Sequence, residues 1–363
     1  MPQFAIRGSP LPKLSILLPT YNGERFLAEQ LESILAQTDP DFELIAIDDG
    51  STDGTVAVLE RFAARDRRIA VIPSQGNRGQ NGRLVELLEH ARGEFIAISD
   101  QDDRWAPDRN EKLFEALGDR QVVFARSELI GAGGERLHRT LLESLGHTPA
   151  VDDRLTALIA PMYSAHAMVV RRDAVVPEAL FQRLPFDWLI GAEAALAGSL
   201  KYRDDAVVLH RLHSGNQHNI FHQARATRPL SRSSLSLIFM FRTAARIKQM
   251  DLFDYLGRSR RLDRSLQRDF LMLANRCQLV WFSPWRALRS DGGLRDLIVD
   301  TLASRAGSPD DLQRFRAHID VLTQPSLSAP VRAAYAQRYA WVSGRAERDR
   351  TAAAAAAASP HGR

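Results

Sequence analysis

At 363 residues, 45% hydrophobic and 25% charged, the chain has the make-up of a globular protein with one large domain plus an appendage, or with two domains. Its single cysteine, Cys277, excludes an intramolecular disulfide framework, no run of eighteen apolar residues offers a transmembrane helix, and Met1-Pro2-Gln3-Phe4 does not open a signal peptide; a cytoplasmic protein is expected. The net charge of +4 is unevenly spread: residues 1–223 carry 24 Lys+Arg against 32 Asp+Glu, and residues 224–363 carry 24 against 12.

Leu14–Leu18 reads as a buried strand that stops at the turn Pro19-Thr20-Tyr21-Asn22-Gly23. Glu24–Gln37 follows with Leu27, Leu31, Ile34 and Leu35 at helical spacing. A second strand, Phe42–Ile47, ends at Asp48-Asp49-Gly50-Ser51-Thr52-Asp53-Gly54, and a helix over Thr55–Arg65 comes next. Ile69–Ile72 is a third strand. The loop Gly76–Gly82 then enters a helix over Arg83–Arg92, and Phe95–Ile98 is a fourth strand. Strand–helix alternation predicts right-handed crossovers and an α/β domain with a mostly parallel sheet. Short, nearly all-apolar strands suit a sheet covered on both faces.

After Pro107 a helix is expected to Leu117, then a strand over Val122–Ala125. Leu137–Leu145 reads as a charged helix, His166–Val170 as a strand, Ala174–Arg183 and Asp187–Ala197 as helices, and Ala206–Leu209 as a final strand. Strand signals vanish past Arg225. Leu235–Met250, Arg264–Trp281, Gly293–Ala303, Leu312–Leu322 and Pro330–Ser343 read as amphipathic helices. The expected division is a catalytic domain over 1–223, a basic all-α region over 224–350, and a disordered Ala-rich tail over 351–363. The basic region reads either as a solvated helical surface or as a site for an anionic partner, a membrane surface or a lipid-linked pyrophosphate before nucleic acid.

The segment Ser99-Asp100-Gln101-Asp102-Asp103 stands at the carboxyl end of the fourth strand. Open α/β sheets bind ligands at that edge. Three carboxylates in four positions repel one another unless a cation or a polyhydroxylated ligand lies among them, and hard oxygen donors suit Mg2+ or Mn2+. Together with Pro19–Asn22 and Asp48–Ser51, three polar clusters end successive strands along one edge. His210, His213, His218 and His222 crowd a later segment at spacings foreign to a structural zinc site.

With these motifs the chain resembles the family 2 glycosyltransferases. The matching residues are Pro19-Thr20-Tyr21-Asn22-Gly23, Asp48 to Thr55, Asn77-Arg78-Gly79, Ser99 to Trp105, Asp187-Trp188 and Arg211-Leu212-His213-Ser214-Gly215-Asn216. The Asp-Gln-Asp-Asp form with Arg-x-His-x-x-Asn looks most like the rhamnosyltransferases of bacterial surface polysaccharides. The resemblance implies the nucleotide-diphospho-sugar (GT-A) fold. It also implies inverting, metal-dependent transfer from a nucleotide-sugar donor to a saccharide or lipid-linked acceptor, rhamnose being one candidate sugar.

The Pro19 backbone and the Tyr21 ring would meet the nucleobase, with Asn22 and Asn77 in the same donor site, and Asp49 or Asp48 would accept from its N3–H. Asp100 would touch the ribose or the sugar. Asp102, with His213, would hold Mn2+ or Mg2+ on the diphosphate, and Arg211 would pair with phosphate. Asp103 would serve the sugar, the metal or the turn toward Pro107. Asp187 would be the base, although Phe186 stands where many relatives have a polar residue.

The rival from another class is a non-catalytic sugar-nucleotide-binding scaffold of a polysaccharide assembly complex. A sugar-1-phosphate nucleotidyltransferase would need a Gly-rich loop after the first strand, and Pro19–Asn22 is not one. The implied location is the cytoplasm, with peripheral contact at the inner face of the plasma membrane through the basic region.

Overall fold

The computed structural model describes residues 11–145, 158, 163–175, 184–213, 251–281 and 301. The chain divides into two units, Met1–Pro229 and Leu230–Arg363. In the first, β1 (Leu14–Thr20), β2 (Phe42–Asp48), β3 (Ile69–Ile72) and β4 (Phe95–Ile98) are all mutually parallel, as the alternation with α1 (Glu24–Leu35), α2 (Thr55–Ala63) and α3 (Gly79–His90) requires. Every residue of β1 and β2 is buried. Their side chains alternate between two layers. Leu14, Ile16 and Leu18 join Leu27, Leu31 and Ile34 of α1 and Leu59 of α2, whereas Leu17 faces Leu84 of α3. Each such leucine or isoleucine contributes about 1.5–3 kcal/mol by leaving water.

Register positions the site. Thr20 lies opposite Asp48 in β2, and Leu17 lies opposite Ile98 in β4. The carboxyl ends of β1, β2 and β4 therefore share one edge. Pro19 is tolerated in this central strand because pairing with β4 ends at Leu17, so its missing N–H falls beyond the ladder.

Past Ile98 the sheet changes character. Its order is β3-β2-β1-β4-β8-β6-β9-β5, with β7 beside β6. The added strands are β5 (Arg104–Trp105), β6 (Val122–Ile130), β7 (Arg136–Thr140), β8 (Met168–Arg171) and β9 (Leu200–Arg211). β8 runs antiparallel to both β4 and β6, β6 runs parallel to β9, β5 pairs antiparallel with β9, and β7 pairs antiparallel with β6. β6 and β9 are longer than expected. Val122–Ala125 is buried throughout, but from Arg126 burial alternates, so an apolar run marks only the part covered on both faces.

Leu137–Leu145 is not one helix. A reversal at Gly131–Gly134 returns Arg136–Thr140 alongside β6. Only Leu141–Leu145 is helical (α5). Thr140 Oγ1 accepts the Glu143 N–H at 3.1 Å while Glu143 Oε2 accepts the Thr140 N–H at 2.8 Å, a capping box that starts the helix there. His166 sits in a 3-10 turn, Ala165–Ala167, before β8. α4 (Arg109–Leu117) and α6 (Phe186–Leu196) fall where expected, and most of Ala174–Arg183 lies outside the described residues.

In the second unit, Arg264–Trp281 is helical, with Asp263 Oδ1 accepting the N–H groups of Ser265 and Leu266 at its start. A further helix over 251–258, not foreseen, buries Leu252, Phe253 and Leu256 and sets Phe253 5.9 Å from Phe270. The expected helices at 235–250, 293–303, 312–322 and 330–343, the tail and the 223/224 division lie outside the described residues, apart from residue 301. No described helix is long and apolar enough to cross a membrane.

Candidate active site

At the end of β1, Tyr21 turns its ring to solvent, 49% exposed, while its backbone is held by Gln101. The Tyr21 N–H donates to Gln101 Oε1 at 2.8 Å, and Gln101 Nε2 donates to the Tyr21 carbonyl at 2.9 Å. A Cβ at Gly23 would meet that same amide, so glycine there leaves room for Gln101 to reach the turn. Asn22 takes a left-handed φ of 46°, and its Oδ1 accepts the Thr52 N–H at 2.9 Å. The first two strand ends are thereby stitched together.

Asp48 is saturated. Its carboxylate accepts from Thr20 Oγ1 (3.0 Å), the N–H groups of Gly50 (3.0 Å) and Ser51 (2.7 Å), and Ser51 Oγ (2.5 Å). Asp49 Oδ1 accepts from the Arg78 N–H and from Arg83 Nε, both at 2.7 Å, and Oδ2 accepts the Gly79 N–H at 2.9 Å. With roughly four acceptor places per carboxylate, Asp49 keeps one. Asn77 Nδ2 donates to the Asp49 carbonyl at 3.1 Å. Arg83 was not foreseen. Its trace in the sequence is its place beside Leu84 and Leu87 on the buried face of α3.

The acidic segment meets histidines delivered by the antiparallel half of the sheet. His166 Nδ1 lies 3.2 Å from Asp100 Oδ2 and 3.8 Å from Asp103 Oδ2, and its Nε2 lies 2.8 Å from Ser127 Oγ. His210 Nδ1 lies 2.9 Å from Asp103 Oδ1, which also accepts the Arg211 N–H at 3.1 Å. His213 Nε2 lies 2.8 Å from Asp102 Oδ2. Of these, the sequence motifs point to His213; His210 stands in the histidine-rich segment, and His166 is alone in an apolar stretch. Arg211 is buried rather than open to a phosphate. Its Nε donates to the Asp102 carbonyl at 2.8 Å and its Nη2 to Glu29 Oε2 at 2.6 Å.

Electrostatics separates the carboxylates. Burial, helped by the Asp103 and Asp100 charges, raises Asp102 against the lowering bond from His213. Burial also works to raise Asp103, but the charges of His210 and His166 outweigh it and hold the carboxyl down at about 2. Burial would lower His210; Asp103 beside it carries it up to about 9. Asp187, in the first turn of α6, is half-buried, and desolvation pushes its carboxyl up to about 6. The Trp188 N–H, donated to Asp187 Oδ1 at 2.9 Å, opposes this, and the Asp100 charge adds to it. Asp187 and Asp100 therefore share one electrostatic neighbourhood.

Two groups of side chains bring together possible metal donors. Asp102 and His213 pair a carboxylate oxygen with an imidazole nitrogen near the surface. Asp100, Asp103, His166 and His210 bring one atom each within 4.8 Å of one another, and Asp103 Oδ2 is buried with no hydrogen-bond partner. The Asp102 oxygen is a hard donor that fits Mn2+ or Mg2+, and the His213 nitrogen beside it favours Mn2+ of the two.

Residues 15–176 match the family model "Glycosyl transferase family 2". A Bacillus subtilis protein named for teichuronic acid biosynthesis, the glycosyltransferase TuaG, is 35% identical over 31% of this chain and 45% of its own length. A second from Bacillus subtilis, named as the glycosyltransferase EpsE, is 44% identical over 33% of this chain and 47% of its own. The chain thus spans about half the length of these two relatives. The crystal structure of S. aureus TarS 1–349 superposes with a TM-score of 0.51 at 19% identity, covering 90% of this chain and 91% of that one, a likeness of fold. That frame is the GT-A fold, and Asp187 and His213 lie beyond the residues the family model matches. Over residues 15–176, then, the chain matches glycosyltransferase family 2, and its motifs, its relatives and its fold agree with that match.

Proposed function

We propose that the chain is an inverting, metal-dependent glycosyltransferase that moves a sugar, with rhamnose one candidate, from a nucleoside-diphosphate donor to a saccharide or lipid-linked acceptor. The observation that carries this is the gathering of Asp100, Asp102 and Asp103 with His166, His210 and His213 at the carboxyl edge of the sheet, within electrostatic reach of Asp187, whose carboxyl burial raises. A base tuned toward neutrality next to a donor-binding carboxylate is what direct displacement needs. A scaffold has no use for the cost of that desolvation.

The exposed Tyr21 ring offers the nucleobase a stacking face. Asp49, with one acceptor place open, takes the N3–H, and Asp48, with none, fixes the turn. Asn77 holds Asp49 in place. Asp100 accepts from the ribose or sugar hydroxyls. Asp102 and His213 would hold Mn2+ or Mg2+, which when bound neutralises charge on the departing diphosphate. Arg211, tied to Glu29 and the Asp102 carbonyl, positions that segment. Asp187 takes the acceptor hydroxyl proton as the new C–O bond forms at the anomeric carbon and the bond to the diphosphate breaks.

The test is a panel of nucleotide sugars, scored for hydrolysis and for protection against thermal unfolding with Mn2+ and with EDTA. Protection and turnover by one donor, lost in EDTA, support the reading; protection without turnover favours the scaffold.

For the basic region we propose peripheral contact with anionic membranes. Each Lys or Arg near such a surface contributes about 1 kcal/mol, and salt screens it. Sedimentation with phosphatidylglycerol vesicles, at low and high salt, should show salt-sensitive binding by the full chain. No binding at low salt would refute it.

A further inference from the structure

His166 is buried, lies outside every motif of the donor site, and touches one of its carboxylates. Ser127 Oγ, His166 and Asp100 follow the atom order of a hydrolytic serine relay. Ser127, however, is 4% exposed within β6, with no approach for a substrate carbonyl. Its hydroxyl has another use. Two carboxylates face Nδ1, so a ring proton belongs there, and Nε2 is satisfied by the Ser127 hydroxyl. The ring is thereby held to donate to Asp100.

His210 repeats the arrangement at the other end of the segment, with Nδ1 toward Asp103 Oδ1. The two rings stack, 4.8 Å between centroids and 6° from parallel. In-plane lone pairs of parallel rings do not converge on one ion, which argues against a cation shared by this pair. The fully buried Arg109 donates to the carbonyls of His166 and Met168, both at 3.0 Å, and lies over the Trp105 ring at 3.7 Å. The turn that presents His166 is itself anchored.

We propose that His166 is a positioning residue for the donor. Stacked on His210, it clamps the two ends of Asp100-Gln101-Asp102-Asp103 so that Asp100 meets the sugar nucleotide in one orientation. This rests on the reading of that segment as the donor site.

Outer hydrogen-bond partners of this kind typically alter affinity or activity about 10–100-fold. H166A should raise the KM for a nucleotide sugar such as dTDP-rhamnose, UDP-glucose or GDP-mannose about tenfold or more, with kcat and the acceptor KM within about threefold. The amide nitrogen of H166N can take the place of Nδ1, so it should recover most of the loss. S127A should fall between wild type and H166A. An unchanged donor KM in H166A, or equal losses in H166A and H166N, overturns the clamp.

A nitrogen-15 spectrum of the histidines decides it without turnover. The clamp requires Nδ1–H on His166, with its signal moved by D100N; an Nε2–H ring contradicts it. Zinc added to the full chain should give no equivalent that H166N removes. Such an equivalent would make the cluster a metal site and sink the proposal. If no sugar nucleotide is bound or turned over by the wild type, the glycosyltransferase reading fails while the spectrum still tests the clamp.

Discussion

The two sides of the sheet edge satisfy their carboxylates in different ways. On the parallel side, Asp48 and Asp49 are held by backbone N–H groups, short hydroxyls and the buried Arg83. At the end of β4, where the antiparallel strands bring in their histidines, Asp100, Asp102 and Asp103 each meet an imidazole, and Asp187 meets little beyond its own helix start. A carboxylate whose oxygens are taken up by backbone donors is committed to geometry. One raised by burial stores unfavourable desolvation that a cation or a proton relieves. On the proposed reading, the first side frames the nucleobase and the second is where charge and protons move.

Each side can be broken separately. D102A, on the active side, should lower metal-dependent turnover about a thousandfold or more while the far-ultraviolet circular dichroism stays that of the wild type. Full turnover by the wild type in EDTA would remove the metal from the account. On the frame side, R83A leaves Asp49 buried without its cation, the Arg83 side chain being 1% exposed. Urea denaturation should show a loss of about 3 kcal/mol; a loss below about 1 kcal/mol would mean that the loop relaxes around Asp49.

Next comes D187N, with kcat down about a hundredfold and donor binding by calorimetry retained. It also has a stability signature. The Asp187 carboxyl is raised from 3.8 to about 6, so folding favours its protonated form. Stability is therefore lost as pH rises through that window and is constant above it. The melting temperature of D187N should match wild type below pH 4, rise above it between pH 4 and pH 6, and keep that lead at higher pH. The smallest effect belongs to Q101A, which frees the Tyr21 backbone at a solvent-exposed turn. It should cost about 1 kcal/mol or less in stability and raise the donor KM a few-fold.

The parallel side was largely legible because its signals are local. Apolar runs gave β1 to β4, and the polar turns after them share an edge by register alone. Asp48, Asp49 and Asp102 stand in those turns. The antiparallel side was not legible in the same way. β6 and β9 continue past their apolar parts, and β7 was hidden in a charged run that reads as helix. His166 reaches Asp100 across 66 residues and His210 reaches Asp103 across 107, through strand directions that no local pattern encodes. Arg211 carries the sequence mark of a phosphate ligand, yet its burial against Glu29 follows from where β9 ends beside α1.

The central claim is that Asp187 is the base of a transfer reaction at this edge. The most direct measurement is the pH dependence of kcat with a saturating donor and Mn2+, for wild type and D187N. Wild type should lose rate as pH falls through about 6, approaching tenfold per unit as the carboxylate is protonated, and D187N should show a flat, low profile without that limb. An acid limb near 6 that persists in D187N, or a D187N rate equal to wild type, would contradict the claim and leave Asp187 as part of a helix start.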